Sequence, residues 1–255
     1  MTIFDPDPSR RWLFCLTHPD DEISIAAWIR RLTSAGAPVW LSWTHATDER
    51  RVEAQRFAEL AGVPRDRLFF HGATDGSVCD EIGELLPRFD RMMFAVKPHV
   101  VACGAFEQGH LDHDATNYLV NATHRGLVAE IPFYHAYLSG IQRFNAFAPG
   151  SEGGAIETIA LTREDRAFKK RAARNYPSQN IYRLILLHEA AHLTTGRRPY
   201  LLQRETMRPQ VPTDWRTPNH GPRLRGKIER CPKWRRWIAA MDRVRSERPQ
   251  TLGLR

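Results

Sequence analysis

Hydrophobic positions fall into short continuous runs separated by longer stretches with helical spacing. Trp12-Leu13-Phe14-Cys15-Leu16 is an uninterrupted apolar run, as expected of a strand buried on both faces. Ile25, Trp28, Ile29 and Leu32 then recur at helical spacing until Gly36. The pattern repeats: a strand at Val39–Trp43, a helix marked by Ala54, Phe57, Ala58 and Ala61 and stopped by Gly62 and Pro64, and a strand at Leu68-Phe69-Phe70. A third helix carries Ile82, Leu85, Leu86 and Phe89, a fourth strand spans Val100-Val101-Ala102-Cys103, and a fourth helix carries Ala115, Tyr118, Leu119 and Ala122. Four rounds of alternation predict an α/β chain with a mostly parallel sheet between helical layers. Farther on, Ile156–Leu161 reads as a strand, Arg163–Asn175 as a charged helix ending before Pro177, and residues 181–193 as a further helix. From Gly196 onward the chain is rich in Pro and Arg, with helical periodicity only near Trp234–Val244. The expected organisation is one domain over residues 1–195, with a basic extension, residues 196–255, packed on it.

A chain of 255 residues, 42% hydrophobic, can bury one large core. No apolar run reaches the length that spans a bilayer, and the N-terminus lacks the basic and apolar regions of a secretory signal. Cys15, Cys79, Cys103 and Cys231 are widely spaced, which suggests neither a disulfide framework nor a zinc knuckle. A reducing, cytoplasmic setting is the expectation. The net charge of +8 conceals an asymmetry: residues 1–160 hold 14 Lys and Arg against 21 Asp and Glu, whereas residues 161–255 hold 23 against 8. Two readings stand. The basic half could hold an anionic group of a substrate, or it could pair with the acidic half of the same molecule or of a second copy in a homo-oligomer. No nucleic-acid-binding module is recognisable, so a nucleic-acid partner is not expected.

Parallel sheets bind ligands beyond the carboxyl ends of their strands, and two polar clusters occupy such places. Thr17-His18-Pro19-Asp20-Asp21-Glu22 follows the first strand, and Gly109-His110-Leu111-Asp112-His113 follows the fourth. His18 and Asp21 are spaced to meet one ion, and His113 can complete the set. A divalent ion with an open position generates a nucleophile from water at neutral pH. Asp20 is then free as general base. His110 can donate to a developing oxyanion, with Asp112 setting its tautomer or raising its pKa. Either cluster alone would read as helix capping; together they favour a metal site.

These motifs resemble those of the PIG-L/LmbE-type zinc-dependent de-N-acetylases. His18-Pro19-Asp20-Asp21-Glu22 matches the family's first signature, and His110-Leu111-Asp112-His113 matches the second with leucine in place of proline. Arg50-Arg51-Val52-Glu53 looks like the family's Arg-x-x-Glu helix start, Thr74-Asp75-Gly76 like its short Asp-Gly loop, and Lys170 through Tyr176-Pro177-Ser178-Gln179 like its basic helix and terminal Ser-Gln. The resemblance implies a Rossmann-like three-layer fold. It implies Zn2+ (or another divalent ion such as Fe2+) on His18, Asp21 and His113. Asp20, His110 and Asp112 would serve catalysis, and Arg50 and Asp75 would contact substrate. The implied reaction removes an N-acetyl group from an N-acetylglucosamine-type conjugate, a small-molecule partner whose anionic character is one reading of the charge asymmetry.

Three other readings compete. His188-Glu189-Ala190-Ala191-His192 matches the zinc-protease helix H-E-x-x-H, with Glu205 or His220 as conceivable third ligands, although Thr195 and Arg198 occupy the extended motif's glycine and histidine positions. Two histidines and one carboxylate also describe a non-haem Fe(II) triad, which would leave Asp20 and His110 without a role. A non-enzymatic anion-binding module would use the basic extension and no metal chemistry.

Overall fold

The computed structural model describes residues 2–133, 146–148, 150–194 and 201–247. Its sheet has seven strands in the order β3-β2-β1-β4-β5-β7-β6. They are β1 (Trp12–Leu16), β2 (Val39–Trp43), β3 (Leu68–Phe70), β4 (Val100–Gly104), β5 (Leu127–Ile131), β6 (Glu157–Ala160) and β7 (Arg204–Pro209). The first five run parallel. β7 is antiparallel to β5 on one side and to β6 on the other. The helices are α1 (Ala26–Ser34), α2 (Asp48–Ala61), α3 (Ile82–Val96), α4 (Leu111–Thr123), α5 (Arg163–Ala173), α6 (Ile181–Thr194), α7 (Pro222–Glu229) and α8 (Pro232–Glu247). The fold is α/β with a mostly parallel sheet, as the alternation of patterns predicts.

Successive β1 side chains point to opposite faces, and the core divides accordingly. Trp12, Phe14 and Leu16 pack with α1, α2 and α5 through residues such as Trp28, Phe57 and Phe168. Leu13 and Cys15 face α3, α4 and α8 through Phe89, Tyr118 and Trp237. Both faces of β1 are covered, which explains why it reads as an unbroken apolar run. Local signals end the elements where expected: the Thr47 side chain accepts from the Arg50 amide at the start of α2, and Gly62 closes that helix at φ 77°, in the left-handed region that glycine enters without a side-chain clash.

Two strands escape a reading by hydrophobic pattern, because each carries charge into the interior. β5 contains Glu130 and β7 contains Glu205 and Arg208, all at most 2% exposed. Within residues 196–255, β7 lies inside the sheet, and Trp215, Trp234 and Trp237 join the core beneath α3 and α4. No helix among the described residues is long and apolar enough to cross a membrane.

Candidate active site

β1 and β4 are neighbours, yet the chain leaves β1 toward β2 and leaves β4 toward β5. The strand order therefore reverses between them, and the loops beyond their carboxyl ends form a crevice. The β1 loop delivers His18, Asp20 and Asp21; the β4 loop and the start of α4 deliver His110, Asp112 and His113.

Among the described residues, two groups have ligand atoms within 4.8 Å of one another: His18 with Asp21 and His113, and His18 with His110 and Asp112. His113 Nε2 lies 3.3 Å from Asp21 Oδ1. The other Asp21 oxygen accepts from the amides of Thr17 (3.0 Å) and His18 (2.8 Å), which fixes the carboxylate toward the histidines. The three imidazoles of His18, His110 and His113 have ring centroids 5.2 to 5.4 Å apart. Two buried nitrogen donors and an oriented carboxylate suit a divalent transition-metal ion.

Charge is concentrated around His18. Its Nε2 lies 3.2 Å from Asp75 Oδ1 and 3.3 Å from Asp112 Oδ2. Burial opposes protonation of this imidazole, but hydrogen bonds to Asp112 and Asp75 and the Asp21 charge outweigh it and raise its pKa to about 10. The acidic surroundings thus favour a positive charge at this position. Burial raises the pKa of Asp21, yet the facing His113 and His18 bring it below the ordinary carboxylate range.

Asp20 stands at φ 119°, a conformation that non-glycine residues rarely hold. Its amide donates to Glu22 Oε2 at 2.9 Å, and its Oδ1 lies 3.3 Å from the Arg50 guanidinium. Arg50 also donates to the Pro19 carbonyl at 2.6 Å, so both of its contacts hold the strained turn. Burial and the neighbouring Asp21 raise the Asp20 pKa well above the usual value, with Arg50 opposing.

His110 caps α4: its Nδ1 accepts the Asp112 amide at 3.2 Å. That bond leaves Nε2 to carry the proton of the neutral ring. Burial and the neighbouring His113 lower its pKa to about 4. Asp112 thus sets the His110 tautomer through its backbone amide, and its charge acts to raise the His110 pKa but is outweighed by burial and His113. The Asp112 carboxylate turns to His18 and to the amides of Gly76 (2.7 Å) and Val78 (3.2 Å). Asp112 thereby ties the Asp75–Gly76 loop to the β4 side, and Asp75 sits at the rim with its side chain 62% exposed.

Several supporting residues lie within the motifs quoted above but receive no role of their own from the sequence. Glu22 is fully buried and accepts from Trp43 Nε1 at 3.3 Å and from the Tyr176 hydroxyl. Burial pushes its pKa up to about 7. Ser178 donates its amide (3.0 Å) and hydroxyl (2.6 Å) to Glu53, joining the Arg-x-x-Glu and Ser-Gln segments. Glu22 is marked in the sequence only as the last residue of the first signature, and nothing local marks its pairing with Tyr176.

The protease alternative loses its conceivable third ligands. Glu205 binds Lys169 Nζ at 2.8 Å, and His220 Nε2 lies 2.7 Å from the Glu107 carbonyl. The side chains of His188 and His192, like residues Thr195 and Arg198, lie outside the described part of the chain.

A metal-capable His/Asp cluster thus lies at the switch point of a mostly parallel α/β sheet, where such folds bind their ligands. In sequence comparison, residues 13–124 match the family model PIG-L, GlcNAc-PI de-N-acetylase. Over those residues the chain is similar in sequence to that family. Among solved structures it is similar to the zinc-inhibited form of teicoplanin deacetylase Orf2, at 18% identity over 80% of this chain and 99% of that one, with a TM-score of 0.59. It is also similar to N,N'-diacetylchitobiose deacetylase from Pyrococcus horikoshii, at 16% identity over 79% and 84% of the two chains, TM-score 0.52. A third is a conserved protein from Thermus thermophilus, at 16% identity over 81% and 97%, TM-score 0.53. A search of curated protein sequences finds no match to the chain.

Proposed function

We propose that the protein hydrolyses the N-acetyl group of an N-acetylglucosamine-type conjugate, with a zinc ion held by His18, Asp21 and His113. The observation that carries this reading is the convergence of those three ligand atoms within 4.8 Å, beside Asp20 and His110. When bound, zinc polarises the amide carbonyl and makes water acidic enough to attack near neutral pH.

The remaining work falls to the chain. Asp20 takes the proton of the attacking water on its carboxylate, and its raised pKa suits a base that must later give the proton up. As the carbon–nitrogen bond breaks, Asp20 passes that proton to the departing nitrogen, and acetate and a free amine result. Arg50, spent on Pro19 and Asp20, positions this base rather than reaching into solvent. His110 donates from Nε2 to the oxygen that gains charge in the tetrahedral intermediate. Asp112 orients His18 and the Asp75 loop, and Asp75 at the rim meets a sugar hydroxyl.

The identity of the sugar conjugate follows from a panel. N,N'-diacetylchitobiose is what the Pyrococcus horikoshii relative's name says it acts on, and the family description names GlcNAc-PI; both belong in it beside simple N-acetylglucosamine. Acetate release should require zinc. Replacing His18, Asp21 or His113 with Ala should abolish turnover and lower bound zinc, whereas His188→Ala and His192→Ala should leave both near wild type. Zinc loss confined to the His188 and His192 variants would overturn the assignment.

A further inference from the structure

The loop between β4 and α4, residues 105–110, is secured from outside the segment that carries the two signatures. Arg208, on β7, is 2% exposed. Its Nε donates to Glu130 Oε2 at 2.6 Å, and its NH2 lies 3.3 Å from Glu107 Oε1. Its NH1 donates to the Ser151 hydroxyl at 2.9 Å. Glu107 also accepts from the Ala148 amide at 2.9 Å, and Glu130 accepts from the Phe106 amide at 3.4 Å. A carboxylate buried in this way needs a paired cation and further donors, and the cluster supplies both.

The restraint continues along the loop toward His110. Gln108, at φ 52°, donates its amide to Asp114 Oδ1 at 3.1 Å and accepts the Asn219 amide at 2.8 Å. Asn219 Nδ2 in turn donates to the Phe106 carbonyl at 3.1 Å. Gly109 alone separates Gln108 from the imidazole that caps α4.

We propose that Arg208, with Asn219, is a positioning residue for His110: the cluster with Glu107 and Glu130 sets where the loop enters α4, and hence where the His110 Nε2 proton points. The inference rests on the role given to His110 above. His18 and Asp21 stand on the other loop and His113 within α4, so metal binding does not depend on the clamp.

The experiment combines a kinetic cycle with a measurement independent of turnover. Arg208→Met should lower kcat for acetate release at least about tenfold, with KM changed by less than about twofold and zinc content unaltered. In a His110→Ala background the same substitution should cost less than about a further twofold, because the group it acts through is gone. Amide exchange of Asp112, whose N–H is bound by His110 Nδ1, should accelerate at least about tenfold in Arg208→Met while the Phe14 amide in β1 keeps its protection. Asn219→Ala, at a partly exposed position, should show the same exchange change if Arg208→Met does not fold. Fully additive losses in the double variant, reduced zinc content, or unchanged exchange at Asp112 would overturn the proposal. If the wild type turns over no N-acetyl sugar, the functional reading falls, and the exchange data alone decide whether this cluster holds His110.

Discussion

The two sides of the sheet solve different problems. Around β1 and β4, the site residues come in two short runs, and neighbouring amides do much of the orienting: Asp21 is held by Thr17 and His18, and His110 by Asp112. At the β5-β7-β6 edge, stabilising pairs reach across the chain, from Arg208 to Glu107 and Glu130 and from Glu205 to Lys169. One region is built for chemistry and tolerates strain at Asp20; the other supplies rigidity through buried ion pairs. Substitutions in the two regions should therefore fail in different ways: at Asp20 through the chemistry itself, at Lys169 through stability, and at Arg208 through the placement of His110.

The sharpest break is expected at Asp20. Asp20→Asn should keep bound zinc and lose at least about two orders of magnitude in kcat, the scale of a general base. Its melting temperature should hold or rise, since the isosteric amide removes a charge facing Asp21. Near-normal kcat with zinc bound would refute the base assignment.

Lys169 should show the opposite pattern. It is fully buried, binds Glu205 and donates to the Ser24 carbonyl at 3.1 Å. Lys169→Met leaves Glu205 buried without its cation, a change that costs about 3–5 kcal/mol, while kcat per folded, zinc-loaded molecule stays near wild type. Denaturant unfolding alongside single-temperature kinetics separates the two; a collapse of kcat without loss of stability would blur the division.

The smallest effect concerns acid. His71 packs on Phe89 and bonds Ser42 at 2.9 Å. Burial, with Arg88 and Arg91 nearby, lowers its pKa to about 4. A histidine whose folded pKa lies below the unfolded value adds stability that is complete above about pH 6.5 and is lost as pH falls toward 4, up to about 3 kcal/mol. His71→Gln should flatten that limb of the stability profile between pH 6.5 and 4, whatever it does to the plateau. An unchanged acid limb would assign the loss to other groups.

The same division explains what could be read in advance. β1 and β4 are apolar runs buried at every position, β2 is broken only by Ser42, and β3 is apolar though half-buried, so pattern alone finds them, and the metal-capable motifs follow β1 and β4. The predicted strand at Ile156–Leu161 is β6, one residue shorter at each end. β5 and β7 were illegible because Glu130, Glu205 and Arg208 look like surface residues until their distant partners are known. The role of the Asp112 carboxylate was hidden for a related reason: its amide partners, Gly76 and Val78, stand on a loop 34 to 36 residues away. Within the basic extension, Arg236 and Arg243 pair with Asp80, so part of its charge answers the acidic half of the same molecule; Arg197 and Arg198 lie outside the described residues.

Glu205 also bears on the order in which the protein can be completed during synthesis. Its two oxygens accept the amides of Ala27 (2.9 Å) and Trp28 (2.8 Å), in the first turn of α1. Those donors are buried and have no partner within their own helix. The helix that follows the His18–Glu22 turn therefore waits for an acceptor 177 to 178 residues downstream. A nascent chain can assemble β1 to β4 as it leaves the ribosome, but the base of its metal-capable turn is secured only when β7 has emerged. A product stopped before residue 201 would hold every signature residue and still lack the acceptor that seats them.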